Sequence, residues 1–535
     1  MRGWSDGSSK LKAFIRAAAS VAVVALAGAV AAAGTHGHKP PEQLGKVSFA
    51  NSCKPEVQAG FTRGVALLHS FWFQEAATAF RQVLEQDPGC AIATWGLATS
   101  VIGNPFAAGP TPAAAKQAGE ALARGRAIGA GTERERFFIE AVGAYFDGDE
   151  NRPHGQRLKA LTDAFGDVAK RFPADDEAQI FHALYLISIQ QSTDERLTAA
   201  IQATTTLEDQ FKKHPGHPGV AHYLIHGYDF PSLAERGLPA ARRYAEIAPS
   251  APHALHMPSH IFTRVGAWAD SAATNERSAA AAKAENLPGD QLHALDYLMY
   301  AYLQLARDGD AARVLEEVRR VRDSDPSVRY GTFVLATARV RYTLERGAWK
   351  EAAQLEPHAD RDAITYFARA IGAARSGAPA AADIDAQQLA RIVEAMKAGK
   401  EAHGPVQVQR LAAGAWIAFA EGDRDRGIKL MREAADLEDQ GEKGVLTSGR
   451  ALSARELLGD MLLEAGRPAE ALAEYELSQA HDPNRYRSLY GAGQAAAQAG
   501  DRGKARHYFS KLNELAGSGN RRPEMELVRR YLASN

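Results

Sequence analysis

The chain has 535 residues, of which 45% are hydrophobic, 24% charged and 8% aromatic. Its formal net charge is −1, whereas a polyanion-binding protein normally carries a basic excess, so the composition argues against a nucleic-acid partner. The 47 glycines and 24 prolines are too few for a collagen-like or disordered chain. At about 150 residues per domain, this length predicts three or four domains or one array of repeats.

The N-terminal segment has the organisation of a secretory signal. Residues 2–16 include four basic side chains, and residues 17–34 are uncharged and end in small residues. This order is typical of a signal peptide, which we place at 1–33, followed by a linker at 34–50. An uncleaved anchor is the alternative, since 18 residues nearly span a bilayer. Cleavage predicts a periplasmic or secreted protein with no membrane association.

The chain has two cysteines, Cys53 and Cys90. An even pair in an exported chain favours a disulfide, and two separate buried thiols are the alternative. A bridge between them would stabilise the fold by roughly 3–4 kcal/mol if it acts by restricting the unfolded chain.

Two C-terminal segments repeat one another at a shift of 34 residues. The aligned positions match in residue size: Gly459 with Gly493, Gly466 with Gly500, Ala471 with Ala505, and Tyr475 with Phe509. Small residues recur where two helices touch, and large ones recur where they fill the space between helices. The pattern resembles the tetratricopeptide repeat (TPR), a helix–turn–helix unit of about 34 residues.

The same pattern recurs upstream. Residues 57–88 place Gly64, Ala76, Phe80 and Pro88 at the corresponding positions. Degenerate units share a turn dipeptide that closes a helical hairpin: Gly266-Ala267, Gly347-Ala348 and Gly422-Asp423. Since no segment alternates with the period of a strand, we predict an all-α, TPR-like superhelical solenoid. Its expected parts are a degenerate body at 51–440, a C-terminal TPR pair at 445–517 and a tail or helix at 518–535.

Histidines are concentrated in the middle of the chain, where seven of the 17 fall within residues 214–260. His222 and His226 are four residues apart in an apolar segment, so both rings lie on one helix face and can bind one ion. Tyr223 stands where the zincin motif has glutamate, so this motif supplies no water-activating carboxylate. The segment therefore predicts a metal site without a zincin mechanism.

A second histidine segment follows, bent by Pro252 and Pro258. If the two segments lie on adjacent hairpins, their imidazoles converge on a divalent metal, zinc or copper. The predicted ligands are His222, His226, His256 and His260, with His253, and with His293 and His69 on looser grounds. Three carboxylates are expected to orient the ligands from outside: Asp229, Asp296 and Glu75. Histidines that bond one another without a metal are the alternative.

Several segments are similar to a bacterial family of exported TPR-repeat proteins. The similarity covers most of residues 44–515 and includes the His-rich signature HYLIH at 222–226 and HALHMPSH at 253–260. An ordinary TPR does not require these histidines. The resemblance implies the fold and export, and it implies no particular activity.

Three functions follow from these observations. The first is an exported TPR protein whose histidines bind a metal, for metal binding or to stabilise a bound partner. The second is a metal-dependent enzyme that uses the same histidines. The third is a metal-free scaffold that holds a protein or peptide in the solenoid groove. Motifs for phosphate, dinucleotide and serine-hydrolase chemistry are absent from the sequence.

Overall fold

The computed structural model describes residues 42–148, 151–190, 196–325, 329–441, 447–517 and 522–534. Those residues form helices and loops, with no strand among them, in agreement with the predicted all-α class. Gln43–Asn535 form one compact unit. The predicted signal at 1–33 lies outside the described residues. Among the helices of the described part, none is both long enough and apolar enough to span a bilayer.

The helices of the first half begin after a 3-10 turn at Pro55–Val57. They are α1 (Gln58–His69), α2 (Phe73–Gln86), α3 (Ile92–Ile102), α4 (Pro112–Ile128), α5 (Glu133–Phe146), α6 (His154–Arg171), α7 (Asp176–Ser188), α8 (Thr198–Lys213), α9 (Pro218–Tyr228), α10 (Ala234–Ile247), α11 (Pro252–His256), α12 (Pro258–Arg264) and α13 (Trp268–Ala284).

The second half continues as consecutive helical hairpins. Its helices are α14 (Pro288–Gln304), α15 (Asp308–Ser324), α16 (Arg329–Leu344), α17 (Trp349–Ala352), α18 (Ala363–Arg375), α19 (Pro379–Ala398), α20 (Gly404–Ala420), α21 (Arg424–Asp439), α22 (Ala454–Glu464), α23 (Pro468–His481), α24 (Tyr486–Gln498), α25 (Arg502–Ala516) and α26 (Pro523–Ser534).

The repeat signature acts through close approach of paired helices. A Cβ atom added to Gly64 would lie 2.8 Å from the ring of Phe80, and one added to Gly459 would lie 2.7 Å from the ring of Tyr475. Real Cβ atoms do not approach so closely, so each aromatic ring needs the glycine opposite it. The predicted pairing of small and large residues is therefore the contact between the helices of one repeat.

The hairpin turns contain residues in the left-handed conformation. Gly266, Gly347 and Gly422 have φ angles of 68°, 65° and 97°, as the turn dipeptides predict. In the first repeat the same place is taken by Phe71, which follows Gly64 by seven residues as Gly466 follows Gly459. Phe71 keeps the turn, with a φ of 55°.

The segment before α1 is fixed to the fold. Cys53 and Cys90 are joined by a disulfide, which ties this segment to the turn between α2 and α3. Residues 42–50, the described part of the predicted linker, contain no helix. Leu44 and Phe49 are nevertheless buried, with Phe49 stacked 5.1 Å from Trp95.

The C-terminal repeats fold back onto the middle of the array. The indole of Trp268 donates a 2.7 Å hydrogen bond to the carbonyl of Asn484. Arg485 is buried between Glu345 and Glu456, at 2.9 and 2.7 Å. This closure brings residues 447–450, just before the C-terminal pair, against α14.

Candidate metal centre

Short helices that begin with proline present the histidines. In α9, Pro218 occupies the first turn, and the ring of His217 caps the helix by accepting from the amide of Val220. The helix continues unbroken through His222 and His226 and is buried along its whole length. The predicted helical spacing of these two rings is thus present.

The second histidine segment forms two helices, α11 and α12, which meet at the buried residue Met257. Each begins with a proline. His253 and His256 lie on α11, and His260 lies on α12. His293 comes from α14, the helix that packs next to this bend.

The structure divides six of the seven predicted ligands into two groups of three. We call His222, His226 and His253 the first triad, and His256, His260 and His293 the second triad. Within each triad, one ring nitrogen from every residue lies within 4.8 Å of the other two. The four rings expected to share one ion are therefore split between two neighbouring groups.

The second triad contains two imidazole nitrogens that face one another. His256 donates from Nδ1 to Oδ1 of Asn275 at 2.7 Å, and the Asn275 amide group donates to the carbonyl of Ser271. His260 donates from Nδ1 to Asp229 at 2.9 Å. With both protons on Nδ1, both Nε2 atoms carry a lone pair, and these two atoms are 3.1 Å apart. Two lone pairs at this distance repel one another unless a cation lies between them.

The first triad has buried nitrogens without partners. His222 donates from Nδ1 to the carbonyl of His69 at 2.6 Å, and its Nε2 lies 3.1 Å from Nε2 of His226. Nδ1 of His226 and Nε2 of His253 are buried and have no hydrogen-bond partner among the described residues. Burying a polar atom without a partner costs about 1–3 kcal/mol, so these atoms need an explanation.

Burial keeps the first triad in its neutral form. Desolvation lowers the pKa of His222, His226 and His253 well below the ordinary value, and the neighbouring imidazoles lower it further. Neutral imidazole is the form that binds a metal ion. The same surroundings that disfavour a proton thus keep a lone pair available on each ring.

Aromatic rings form the walls of the site. Phe71 lies 4.4 Å from His222 and 5.3 Å from His253, and Phe106 stacks on His226 at 4.2 Å. Beside the second triad, Tyr297 lies 4.8 Å from His256 and 4.9 Å from His260. These rings hold the imidazoles in place and limit the access of water.

Asp229, one of the three carboxylates expected to orient ligands, contacts His260. One of its carboxylate oxygens accepts from His260 and the other accepts from Arg264 Nε at 2.8 Å. Asp296 is buried and accepts from the amide of Ser448 at 3.2 Å, while its Oδ1 has no hydrogen-bond partner within the described segments. Glu75 lies on the surface of α2, 3.7 Å from Arg63.

His69 belongs to a separate buried network. Its Nδ1 accepts from the hydroxyl of Tyr223 at 2.9 Å, and its Nε2 donates to Glu177 at 2.9 Å. The other oxygen of Glu177 accepts from His217 at 3.0 Å. One ligand atom from each of His69, Glu177 and His217 lies within 4.8 Å of the other two, so they form a further group that could hold an ion. His69 contacts the first triad through its carbonyl.

Sequence reasoning missed several residues of the site. Asn275, Arg264 and Tyr297 act through contacts between helices that no local pattern marks. Phe71 could have been found, because the repeat register puts a large aromatic residue where the clean repeats have glycine. Such an exception to the turn chemistry is expected at functional sites.

A cavity of about 800 Å³ lies behind the tyrosines that contact the second triad. Its wall includes Phe333 and Thr447. Phe333 stacks on Tyr330, and the Tyr330 hydroxyl lies 3.2 Å from Nδ1 of His293. The carbonyl of Thr447 accepts from Tyr297 at 3.0 Å. Tyr330 and Tyr297 therefore lie between this wall and the second triad, whose three histidines are not among the residues that line the cavity.

Comparison with known proteins finds similar folds only. No protein-family model matches the chain, and no curated protein matches it. Similar solved structures include a tetratricopeptide repeat protein from Parabacteroides merdae, with 13% identity over 53% of this chain and 98% of that one and a TM-score of 0.29. Yeast Tom70 has 13% identity over 88% of each chain and a TM-score of 0.29. Human IFIT1 with m7Gppp-AAAA has 13% identity over 80% of this chain and 90% of that one, with a TM-score of 0.39.

Proposed function

We propose that this chain is an exported TPR-repeat protein that binds a divalent metal, zinc or copper, at its clustered histidines. The observation that carries the proposal is the pair formed by His256 and His260. Both rings donate from Nδ1, and their Nε2 atoms are 3.1 Å apart. A metal ion between the two nitrogens turns this unfavourable contact into two bonds.

A shared proton is the competing explanation. A proton on His260 Nε2 would let that ring donate to His256 and would pair its charge with Asp229. However, Asp229 is already 2.8 Å from the guanidinium of Arg264, so its charge is largely balanced. The unpartnered nitrogens of His226 and His253 also favour a metal, because a proton shared in the second triad leaves them unexplained.

The donor set supports zinc or copper. All six residues of the two triads are imidazoles, which suit these two metals better than magnesium or calcium. Asp229 orients His260 as carboxylates orient the histidine ligands of other metal sites. The disulfide between Cys53 and Cys90 supports the exported location, since disulfides persist in oxidising compartments.

The same arrangement favours an enzyme as the second candidate. Three protein ligands per ion leave a coordination position open, as in catalytic zinc sites. The cavity walled by Phe333 and Thr447 offers space for a small substrate, or for a side chain of a bound protein or peptide, and Tyr330 and Tyr297 separate it from the second triad. Turnover of a small molecule by the loaded protein would favour the enzyme over a metal-stabilised binding protein.

Metal content tests the proposal. We expect the purified full chain, loaded with zinc or copper and desalted, to retain metal by elemental analysis. His260→Ala should retain less than the unmodified chain, whereas His214→Ala, a matched control in the same histidine-rich segment that pairs with Asp176, should retain as much. Loading that leaves no metal above the buffer level would overturn the proposal.

A further inference from the structure

The two triads lie against one another as parts of one site. The ring centroids of His226 and His260, from different triads, are 5.8 Å apart. Those of His253 and His256 are 6.0 Å apart. These distances are comparable to those within a triad, such as 5.9 Å between His260 and His293.

A single short segment connects the two triads. The five-residue helix α11 gives His253 to the first triad and His256 to the second. Two residues separate them, so an ion that orders one triad also fixes the backbone that presents the other. Two independent metal sites would not need to share a ligand-bearing helix.

The charge of the site requires a further ligand. Two divalent ions held by six neutral imidazoles would carry four positive charges in a buried space. Asp229 contacts a ligand ring, but Arg264 balances its charge. The buried Asp296, on the same helix as His293, offsets only one of the four positive charges. Buried charge without compensation is strongly unfavourable, and each ion with three protein ligands has an open position. A small anion at these positions meets both needs.

We propose that the two triads form one dinuclear centre, which holds two divalent ions and binds a small anion of the size of hydroxide or azide at their open positions. This inference rests on the proposed metal-binding function. Beyond that function, it states that two ions are bound, that both lie in one site, and that a small anion is their external ligand. The surrounding rings of Phe71, Phe106 and Tyr297 restrict that ligand to a few atoms.

Stoichiometry provides the first test. The full chain loaded with Cu²⁺ should contain two ions, and His226→Gln, in the first triad, and His260→Gln, in the second, should each contain one. His253→Gln and His293→Gln repeat the test with one ligand from each triad, should either of the first variants fail to fold by circular dichroism. One ion in the unmodified chain would overturn the dinuclear centre and leave the proposed function standing, and no bound ion would overturn the proposed function itself.

Azide provides the second test. One azide per two Cu²⁺ ions should bind the full chain, with a new charge-transfer absorption and an electron paramagnetic resonance signal well below that of two isolated ions. Each one-ion variant should instead give the full signal of one isolated Cu²⁺. Two full, independent signals in the azide-treated full chain, or two azides bound per chain, would overturn the shared anion.

Discussion

Each imidazole in this protein has two nitrogens, and the partner of one decides what the other offers. His260 donates to Asp229 and therefore presents a lone pair towards His256. His69 has Tyr223 on one nitrogen and Glu177 on the other, so both of its nitrogens already have a protein partner. Residues of one type and similar burial thus take different roles because their second partners differ.

Asp229→Asn should weaken metal binding. The amide cannot accept from His260 as strongly as the carboxylate, and it leaves Arg264 without its counterion. Loss of such an orienting carboxylate typically lowers metal affinity about 10–100-fold. Competition with a chromogenic chelator on the folded variant measures the effect. Glu75→Gln, at the surface beside Arg63, is the control, and an equal loss in both variants would argue against an orienting role for Asp229.

Acid should destabilise the chain in the presence of a chelator. The pKa values of His222, His226 and His253 are lowered by burial in the folded chain and return to about 6.5 on unfolding. Below that pH the unfolded chain takes up protons that the folded chain does not. Well below pH 6.5 each such histidine removes about 1.4 kcal/mol of stability per pH unit, and the effect fades as the pH rises through 6.5.

Urea unfolding at several pH values between 5.5 and 7.5 checks this prediction. His253→Gln should reduce the pH slope by the contribution of one proton. The exposed His507 supplies the control variant His507→Gln, which should leave the slope unchanged. The same slope in His253→Gln and the unmodified chain would show that His253 does not contribute to it.

The sequence predicts which residues are candidate ligands better than it predicts how they are arranged in space. The period of an α-helix places His222 and His226 on one face, as observed. The division into triads depends on how α9, α11, α12 and α14 cross, which no local pattern determines. His253 and His256 share one short helix and still belong to different triads, so spacing along the chain could not separate them.

At the scale of helices and turns, the hairpin between α1 and α2 departs from its repeat. The left-handed turn position is glycine in the clean repeats and Phe71 in this one. A non-glycine residue in this conformation costs of the order of 1–3 kcal/mol, and such strain persists where the surrounding structure requires it. Here the ring of Phe71 covers two imidazoles of the first triad.

Phe71→Gly should expose the first triad to solvent, although it removes the backbone strain of the left-handed turn. Loss of a buried phenylalanine side chain costs about 3–5 kcal/mol, more than the strain it removes, so the unfolding free energy should fall. Removal of metal by excess chelator should become faster. Ala306→Gly, at another turn residue with positive φ, is the matched control. It should leave the rate of metal removal unchanged, and the unfolding free energy should stay the same or rise slightly. Equal chelator rates in Phe71→Gly and the unmodified chain would contradict the covering role.

At the scale of the whole chain, the array is closed by contacts between distant segments. The repeat pattern determines which helices are neighbours, and that part of the fold was predictable from glycine and aromatic spacing. The closure was not, because Trp268 and Asn484 are 216 residues apart, and their contact depends on small rotations that accumulate over many hairpins.

Arg485→Met should destabilise the closed array. Arg485 is buried between Glu345 and Glu456, and its loss leaves two carboxylates buried without a counterion. Removal of one partner from such a pair costs about 3–5 kcal/mol, measured as the loss in free energy of unfolding by urea. Arg432→Met is the control, because Arg432 is 40% exposed and pairs with Glu470 and Glu474. Its loss should cost under about 1 kcal/mol, and a similar value for Arg485→Met would mean that the closure contributes little.

The closure also determines the order in which the site can be completed. In an open repeat array, folding can start at any unit and spread from neighbour to neighbour. In this chain, Ser448 and Thr447 contact Asp296 and Tyr297 beside the second triad, from about 150 positions further along the sequence. Contacts between such distant residues form slowly, because the chain between them must first be ordered. The histidines are therefore synthesised long before Thr447 and Ser448. The contacts around the second triad are complete only when the C-terminal repeats have folded.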